Sequence, residues 1–253
     1  MDRPKHPVTT VERTFEMIET VKELDGAGVS EVADRVDVGK SAVHNHLTTL
    51  AKEGYLVKEG DEYDVGLGFL GLGEYARRKT DIYREANDEV DTLAAETGEL
   101  ANLLIEENGL GIYLYQSEGD NAVEVDTYEG KRVHLHATAL GKAILAYRPR
   151  EAVEAILDER GMPARTDQTI TDEAAFFEEL SDVRDRGYAV DEEERLTGLR
   201  CIAAPITDDE DRGIAAVSVS CPVHRVSDDR FFGEIADAVL GAANVVELEH
   251  NYS

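Results

Sequence analysis

The stretch DVGKSAVHNHLTTLAKEGYL, residues 37–56, begins with a turn signal and continues with a helical pattern. Its first three residues, DVG, are typical of a tight turn. Val43, Leu47 and Leu50 then recur on one side of a helix that we expect over residues 40–53. This apolar side predicts a helix that packs against its neighbours and leaves its other side in solvent.

The opposite side of this helix is polar and suits contact with DNA. An Asn side chain can pair with adenine in a bidentate way, and Ser or His can reach base edges or phosphates. The positive end of the helix favours a phosphate. The candidate DNA contacts are Lys40, Ser41, His44, Asn45, Thr48 and Lys52. The alternative is an ordinary solvated helix face. His46 lies nearer the apolar side, and we expect it to pack against the first helix.

The flanking sequence favours a DNA-binding fold. VERTFEMIETVKEL, residues 11–24, predicts an amphipathic first helix, and EVADRV behind Ser30 predicts a short second one. YLVKEG and DEYDVG, within residues 55–66, predict two short strands that meet at Gly60. Three helices followed by a two-stranded wing predict a winged helix-turn-helix, whose third helix usually enters the major groove. Lys58 is the only basic residue of this wing, against four acidic ones.

The chain is strongly acidic, and the charge is unevenly distributed. It has 54 acidic and 26 basic side chains and a formal net charge of −28. Residues 1–80 hold 15 acidic and 11 basic side chains, so only a small part of the negative charge lies there. Such an excess of carboxylate is similar to that of halophilic proteins, in which concentrated salt screens the self-repulsion. We therefore expect DNA binding with a shallow salt dependence, because little phosphate electrostatics remains at high salt.

The composition also predicts the compartment. No run of about 18 apolar residues is present, and the N-terminus has no apolar stretch that would serve as a signal peptide. We expect a cytoplasmic protein without membrane contact.

The rest of the chain predicts a second, mixed domain. LANLLIEE, GIYLYQ and VEVDTYE are strand-like, as are the paired runs CIAAPIT and GIAAVSVSCP. Helices are expected within LHATALGKAILAY, at 150–160, near 172–186 and at about 227–248. This order favours an α/β (α+β) fold with a mainly antiparallel sheet and helices on its faces. The expected division is 8–68 for the winged helix, 69–86 for a linker helix and 87–250 for the second domain.

Several residues of the second domain are compatible with an enzyme, but each signal is weak. HLH at 134–136 and CPVH at 221–224 offer metal-ligand atoms, yet such short patterns arise by chance. TALGKA lacks the outer glycine and the hydroxyl of a phosphate-binding loop. Cys201 has no motif-placed acidic partner, so two reduced, buried thiols are the simpler interpretation. A cysteine- or metal-dependent hydrolase, or a ligand sensor that docks a protein, remain alternatives.

Two segments favour a small-molecule site. GYAVDEEERLTGLRCIAAPI, residues 187–206, leads from an acidic turn into an apolar strand that begins with a thiol. In SVS, Ser218 and Ser220 project from the same face of a neighbouring strand, where two hydroxyls can bind a carboxylate. A polar face on an edge strand explains the serines equally well.

Taken together, these segments resemble the IclR family of transcriptional regulators. The matching segments are GKSAVHNHLTTLAKEGYL, HATALGKAILA, GYAVDEEERLTGLRCIAAPI and AAVSVSCP, in the family's order and spacing. The resemblance implies a winged helix-turn-helix joined to a GAF-like effector-binding domain, and no enzyme activity or cofactor. It further implies a homodimer or homotetramer that binds double-stranded promoter DNA and responds to a small, acidic metabolite of carbon catabolism.

The resemblance also implies which residues bind the effector. Backbone amides of the ATALG turn would hold its carboxylate, and Cys201 with the two serines would complete the hydrogen bonds. Asp191 would face an effector hydroxyl or be protonated, because like charges repel. The implied residues are Thr138, Ala139, Leu140, Asp191, Leu199, Cys201, Ser218 and Ser220.

Two positions depart from the family pattern. Many members have Arg where this chain has Asn45, which shifts the expected base contact from guanine towards adenine. Most have Gly where this chain has Cys221, so the backbone there is expected to differ locally.

Overall fold

The computed structural model describes residues 7–252. Two compact units divide the chain, with the boundary between Ala76 and Arg77. Each unit has its own hydrophobic core. The two units are therefore described separately.

The first unit is a winged helix-turn-helix, as predicted. Its three strands form one antiparallel sheet in the order β1-β3-β2, and β2 and β3 make the wing. The elements are α1 (Thr9–Glu23), β1 (Ala27–Gly28), α2 (Val29–Val36), α3 (Lys40–Lys52), β2 (Leu56–Glu59) and β3 (Glu62–Val65). Both the third helix and the wing lie where the sequence places them.

The turn between α2 and α3 follows from its residues. Asp37 ends α2 with φ at 50°, in the left-handed region that a short polar side chain tolerates better than most. Gly39 then caps α3, and Val43 and Leu47 enter the core of the unit beside Met17. The predicted apolar side of α3 is confirmed.

The first helix buries a narrower face than its pattern suggested. Met17, Ile18 and Val21 are buried, whereas Val11 and Phe15 are 50% and 59% exposed. The core of so small a unit covers only one side of α1, so the apolar stripe continues onto the surface.

The segment expected to be one linker helix contains two. α4 covers Gly68–Arg78 and α5 covers Asp81–Thr97. α5 packs through Ala86 and Val90 into the core of the second unit. The expected linker, residues 69–86, therefore spans α4 and only the first turns of α5, and its functional limits stay a prediction.

The second unit is a six-stranded antiparallel sheet with helices on both faces, which confirms the predicted fold class. Its strand order is β6-β5-β4-β9-β8-β7. The helices α5 and α9 pack on one face, and α6, α7 and α8 pack on the other. The further elements are β4 (Leu100–Glu107), β5 (Leu110–Glu118), β6 (Arg132–Val133), a 3-10 turn (Leu135–Ala137), α6 (Ala139–Ala146), α7 (Arg150–Arg160), α8 (Glu173–Arg186), β7 (Ala189–Glu192), β8 (Leu199–Thr207), β9 (Gly213–Pro222), a π-helical segment (Arg230–Ile235) and α9 (Ala236–Tyr252).

The predicted strand VEVDTYE, residues 123–129, is wrong. This segment has no strand structure, and the short β6 pairs with β5 instead. Val123 and Val125 pack against the core below α6, which satisfies the alternating pattern without a ladder of backbone hydrogen bonds. The segment thus forms a loop over one end of the sheet.

Within the described residues, no helix combines the length and apolar character needed to cross a membrane.

The start of α6 packs directly on the preceding 3-10 turn, and Gly141 permits this contact. A Cβ atom at Gly141 would lie 2.1 Å from the carbonyl oxygen of Leu135. The amide of Gly141 also donates to Thr138 Oγ1 at 3.0 Å, which caps the helix. This close approach sets the position of Thr138 and of the turn before it.

We expect Gly141→Ala to lower the free energy of unfolding by about 1–3 kcal/mol, because the added methyl forces the backbone of residue 135 to move. The matched control is Gly241→Ala in α9, where a Cβ meets open space. That substitution should stabilise by about 0.5–1 kcal/mol through helix propensity. Urea unfolding in concentrated KCl measures both, and equal effects of the two substitutions would contradict the packing described.

Candidate DNA-recognition surface and effector cavity

The polar side of α3, which we call the recognition face, is presented to solvent. It comprises Lys40, Ser41, His44, Asn45, Thr48 and Lys52, all exposed. In residues 7–252, the side chains of Ser41, His44, Asn45 and Lys52 make no hydrogen bond or ion pair. Their polar groups are therefore available to a ligand.

Contacts behind α3 hold it in place. His46 Nδ1 lies 2.8 Å from Thr14 Oγ1, which confirms that His46 packs against the first helix. Lys40 Nζ donates to Ser30 Oγ at 2.9 Å and ties the start of α3 to α2. These contacts make the recognition face a rigid surface.

Two of the predicted DNA contacts, Thr48 on α3 and Lys58 on the wing, lie beside Tyr63 of β3. Thr48 Oγ1 lies 3.2 Å from the hydroxyl of Tyr63 in β3. The ammonium of Lys58 lies 5.3 Å from the centroid of the same ring. Tyr63 thus joins the recognition helix to the wing, and Lys58 remains exposed at the wing surface.

In the second unit, the predicted thiol and serines belong to one buried polar cluster. The Cys201 thiol donates to Ser220 Oγ at 3.1 Å. Asn102 Nδ2 lies 3.4 Å from both Ser218 Oγ and Ser220 Oγ. The strand register explains this, since Asn102 pairs with Ser218 across β4 and β9, and Cys201 pairs with Ser220 across β8 and β9.

The cluster extends towards the loop over the sheet end. Gln116 Nε2 donates to Asn102 Oδ1 at 2.7 Å and to Thr127 Oγ1 at 2.6 Å. We call Asn102, Gln116, Cys201, Ser218 and Ser220 the polar cluster. Its hydroxyl and amide groups can hydrogen-bond the oxygens of a small polar ligand.

The other predicted effector residues have different surroundings. Asp191 Oδ1 accepts the amides of Glu194 and Arg195 at 2.7 and 3.3 Å and so shapes the turn after β7. Burial, together with the nearby Glu194 carboxylate, raises the pKa of Asp191 to about 7. The side chains of Ala139, Leu140 and Leu199 lie in the apolar core, which leaves only their backbone for ligand contact.

A cavity of about 230 Å³ lies beside Thr138 and has a basic wall. Its lining residues are Lys131, Arg132, Val133, His134, Ala137, Thr138, Arg165 and Arg195. We call this the basic cavity. Of the eight effector residues expected from sequence, Thr138 alone lines it.

One carboxylate from the loop pairs with two cations of the wall. Asp126 Oδ2 lies 2.5 Å from Lys131 Nζ, and Asp126 Oδ1 lies 2.5 Å from Arg195 Nη2. Partial burial works to raise the pKa of Asp126, but these two cations outweigh it and lower the pKa. The Asp126 side chain is nevertheless 63% exposed, so solvent reaches this bridge.

A hydrogen-bond network supports the rest of the wall. Thr169 Oγ1 accepts the amides of Arg165 and Thr166, each at 2.9 Å, and donates to the carbonyl of Glu194 at 2.6 Å. Lys142 in α6 forms a buried ion pair with Glu194. The segments that carry Arg165 and Arg195 are therefore fastened to each other and to α6.

Two histidines lie at this part of the chain, His134 in the cavity lining and His136 two residues further on. His136 Nε2 lies 3.2 Å from the carbonyl of Pro163, and burial lowers the pKa of His136 to about 4. Burial, followed by the charges of Arg165 and Arg160, also lowers the pKa of His134. Both rings are therefore neutral at pH 7. Among the described residues, no group of three or more potential ligands is arranged to hold a metal ion.

The cysteines lack the properties of a catalytic nucleophile. Burial raises the pKa of the Cys201 thiol well above its usual range, and burial raises that of Cys221 to about 11. Both thiols are buried and reduced. A thiol kept protonated at neutral pH is a poor nucleophile.

Comparison with known proteins decides the family. One family model, the IclR helix-turn-helix domain, matches residues 10–60, and another, the C-terminal part of the bacterial transcriptional regulator IclR, matches residues 75–248. The second match alone covers more than half of the chain. This chain belongs to the IclR family of transcriptional regulators.

Relatives of the IclR family align over nearly their whole length. The chain is 35% identical over 245 residues to the probable HTH-type transcriptional regulator ArcR of Halobacterium salinarum, covering 95% of this chain and 93% of that protein. It is 32% identical over 233 residues to the HTH-type transcriptional regulator KdgR of Escherichia coli, covering 91% and 88%. The solved Thermotoga maritima IclR matches with a TM-score of 0.79 and 27% identity over 97% of this chain and 100% of that one.

The IclR assignment gives the two units their general roles. The first unit is the DNA-binding domain of a transcriptional regulator, and the second is its effector domain. The family and the two domain types that were inferred from sequence motifs are confirmed.

Proposed function

We propose that the chain regulates transcription by placing the recognition face of α3 in the major groove of promoter DNA. The proposal is supported by the exposed side chains of Ser41, His44 and Asn45, which make no bond within the described chain, and by the contacts that hold α3 rigid. Lys40, Thr48, Lys52 and Lys58 are the proposed phosphate and sugar contacts. With Asn45 at the centre, adenine is the preferred base.

We further propose that the regulator binds DNA as a dimer. The first unit leaves an apolar surface in solvent that its own core does not cover, on α1 and around the start of α4. Its members are Val8, Val11, Phe15, Leu67 and Leu70, each at least half exposed. Covering such a surface with a second copy removes apolar area from water, and two recognition helices double the short-range contacts with DNA.

For the second unit we propose a small, acidic effector. The observation that carries this proposal is the basic cavity, which gathers four permanently charged cations in the more acidic part of the chain. Cations held close together repel one another, and a bound anion would relieve this repulsion. Its volume is below the roughly 300–1,000 Å³ of sites for drug-sized ligands, which favours a small metabolite.

The proposed effector also contacts Thr138 and the polar cluster. Cys201, Ser218 and Ser220 donate or accept hydrogen bonds within the cluster, and a ligand oxygen can take the place of one such partner. Asp191 is proposed to stay protonated or to accept from an effector hydroxyl. Sugar acids, 2-oxo acids and aromatic acids all fit this chemistry, and a change in effector affinity between two arrangements of the regulator would control transcription.

The DNA proposal predicts that Asn45→Ala weakens specific operator binding by about 5- to 150-fold, because one bidentate base contact contributes about 1–3 kcal/mol. Lys40→Ala should weaken binding to all sequences more evenly. Chromatin pull-down with sequencing first identifies the operator, and fluorescence polarisation at several KCl concentrations then measures affinity. We expect a shallow salt slope for the unmodified protein.

The matched control for lost positive charge is Arg150→Ala on α7, whose side chain pairs with Glu154 at the surface of the second unit. It should leave operator affinity unchanged. Unchanged specific binding by Asn45→Ala would show that α3 does not contact the bases, and a steep loss between about 0.2 and 1 M salt would show ordinary phosphate electrostatics.

The effector proposal predicts that at least one acid raises the melting temperature of the full-length protein, because a ligand that binds only the folded state stabilises it. A thermal-shift panel of sugar acids, 2-oxo acids, aromatic acids, dicarboxylic acids and phosphorylated acids tests this, with the neutral alcohol of each acid as control. Ser220→Ala should reduce the shift. Absence of a shift with every acid would overturn the proposal.

A further inference from the structure

The cations of the basic cavity fall into two pairs with different surroundings. Lys131 and Arg195 share the carboxylate of Asp126, as described above. Arg132 and Arg165 line the same cavity, and in residues 7–252 their guanidinium groups form neither an ion pair nor a hydrogen bond. The four cations thus face one carboxylate, that of Asp126, which leaves an excess of three positive charges on the cavity wall.

The unpaired cations are accompanied by an unpartnered polar atom. His134 also lines the cavity, and its Nδ1 atom is buried without a hydrogen-bond partner among the described residues. A buried ring nitrogen without a partner is unfavourable, and a ligand atom that pairs with it removes this penalty. Because the His134 ring is neutral at pH 7, it contributes a directional hydrogen bond and no further charge.

The backbone that carries Arg165 is already fixed. Its amide donates to Thr169 Oγ1, and Thr169 in turn donates to the carbonyl of Glu194. Arg165 is exposed, and hydrogen bonds hold the backbone segment that carries it. Preorganised donors lose less entropy when they meet an anion.

We propose that the effector carries at least two negative charges and that its outer anionic group lies between Arg132 and Arg165, hydrogen-bonded to His134. This inference rests on the proposed acidic effector and specifies its class. A single carboxylate leaves the wall with two uncompensated positive charges, whereas a dianion neutralises most of the excess. Guanidinium groups bind planar carboxylates and phosphates in a bidentate way, so both groups suit this position.

Two sources of the outer group share this chemistry, a second carboxylate and a phosphate ester. The effector is therefore a small dicarboxylic acid or a small phosphorylated acid.

The test is isothermal titration calorimetry of the full-length protein in concentrated KCl with three acids on one carbon skeleton. Gluconate is the monoanion, glucarate is the dicarboxylate, and 6-phosphogluconate is the phosphorylated acid. If the wider panel identifies another skeleton, the matched monoanion, dicarboxylate and phosphorylated acid of that skeleton replace them. The variants are Arg165→Gln and Arg132→Gln, with Arg212→Gln as the control because Arg212 pairs with Asp208 in the β8–β9 turn, outside the cavity.

We expect at least one of glucarate and 6-phosphogluconate, which carry two or more negative charges, to bind about tenfold more tightly than the monoanion, the usual scale of a charge-assisted hydrogen bond. Arg165→Gln and Arg132→Gln should each remove most of that preference and leave monoanion affinity within about twofold, and Arg212→Gln should change neither. Preference for glucarate alone would identify the second carboxylate as the outer group, and preference for 6-phosphogluconate alone would identify the phosphate.

Equal affinity for the monoanion, glucarate and 6-phosphogluconate would overturn the inference. The inference would also be overturned if Arg165→Gln weakened the affinity for all three acids by the same factor, because the substitution would then have damaged the whole site. In either case an acid still binds, and the proposed acidic effector stands. Absence of binding by every acid of the panel would overturn both proposals together.

Discussion

The arrangement of the basic cavity depends on the buried ion pairs of the Lys142 ammonium group. The Lys142 side chain is 1% exposed and forms ion pairs with Glu194 and, at 3.2 Å, with Glu179. A buried ion pair adds little net stability, but removal of one partner costs about 3–5 kcal/mol because a charge is left without compensation. The chain therefore keeps the turn after β7 next to α6. That turn carries Arg195 and, through Thr169, holds the segment of Arg165.

Charge is divided between the two units according to their roles. The first unit has to approach a polyanion, and most of the negative charge lies outside it. Its recognition face contains neutral donors and acceptors together with Lys40 and Lys52, so short-range contacts remain effective when salt screens the rest. In the second unit the surface is acidic, while the cations of the basic cavity are concentrated around one small volume. We propose that this acidic protein binds two different anions, DNA and an acidic metabolite, at separate places.

Much of the fold could be predicted from sequence, because helical and alternating patterns report burial directly. The winged helix, the paired strands β8 and β9 and the helix that begins within LHATALGKAILAY are examples. The strand predicted at 123–129 is wrong because alternating apolar residues can be buried by packing in a loop as well as by strand pairing. Within the site, Asn102 had a visible signal as the lone polar residue in LANLLI, and Lys131 with Arg132 formed a basic pair in an acidic chain. Arg165 and Arg195 had none, since only the fold brings these isolated residues to one cavity.

We propose that an acid bound in the second unit changes how tightly the first unit binds DNA. The most direct measurement is operator affinity by fluorescence polarisation in concentrated KCl, with and without a saturating concentration of the tightest acid. We expect a change of about 5- to 150-fold, the usual range of allosteric coupling. By reciprocity, operator DNA should change the affinity for the acid by the same factor. An acid that binds with full occupancy and leaves operator affinity unchanged would contradict the claim.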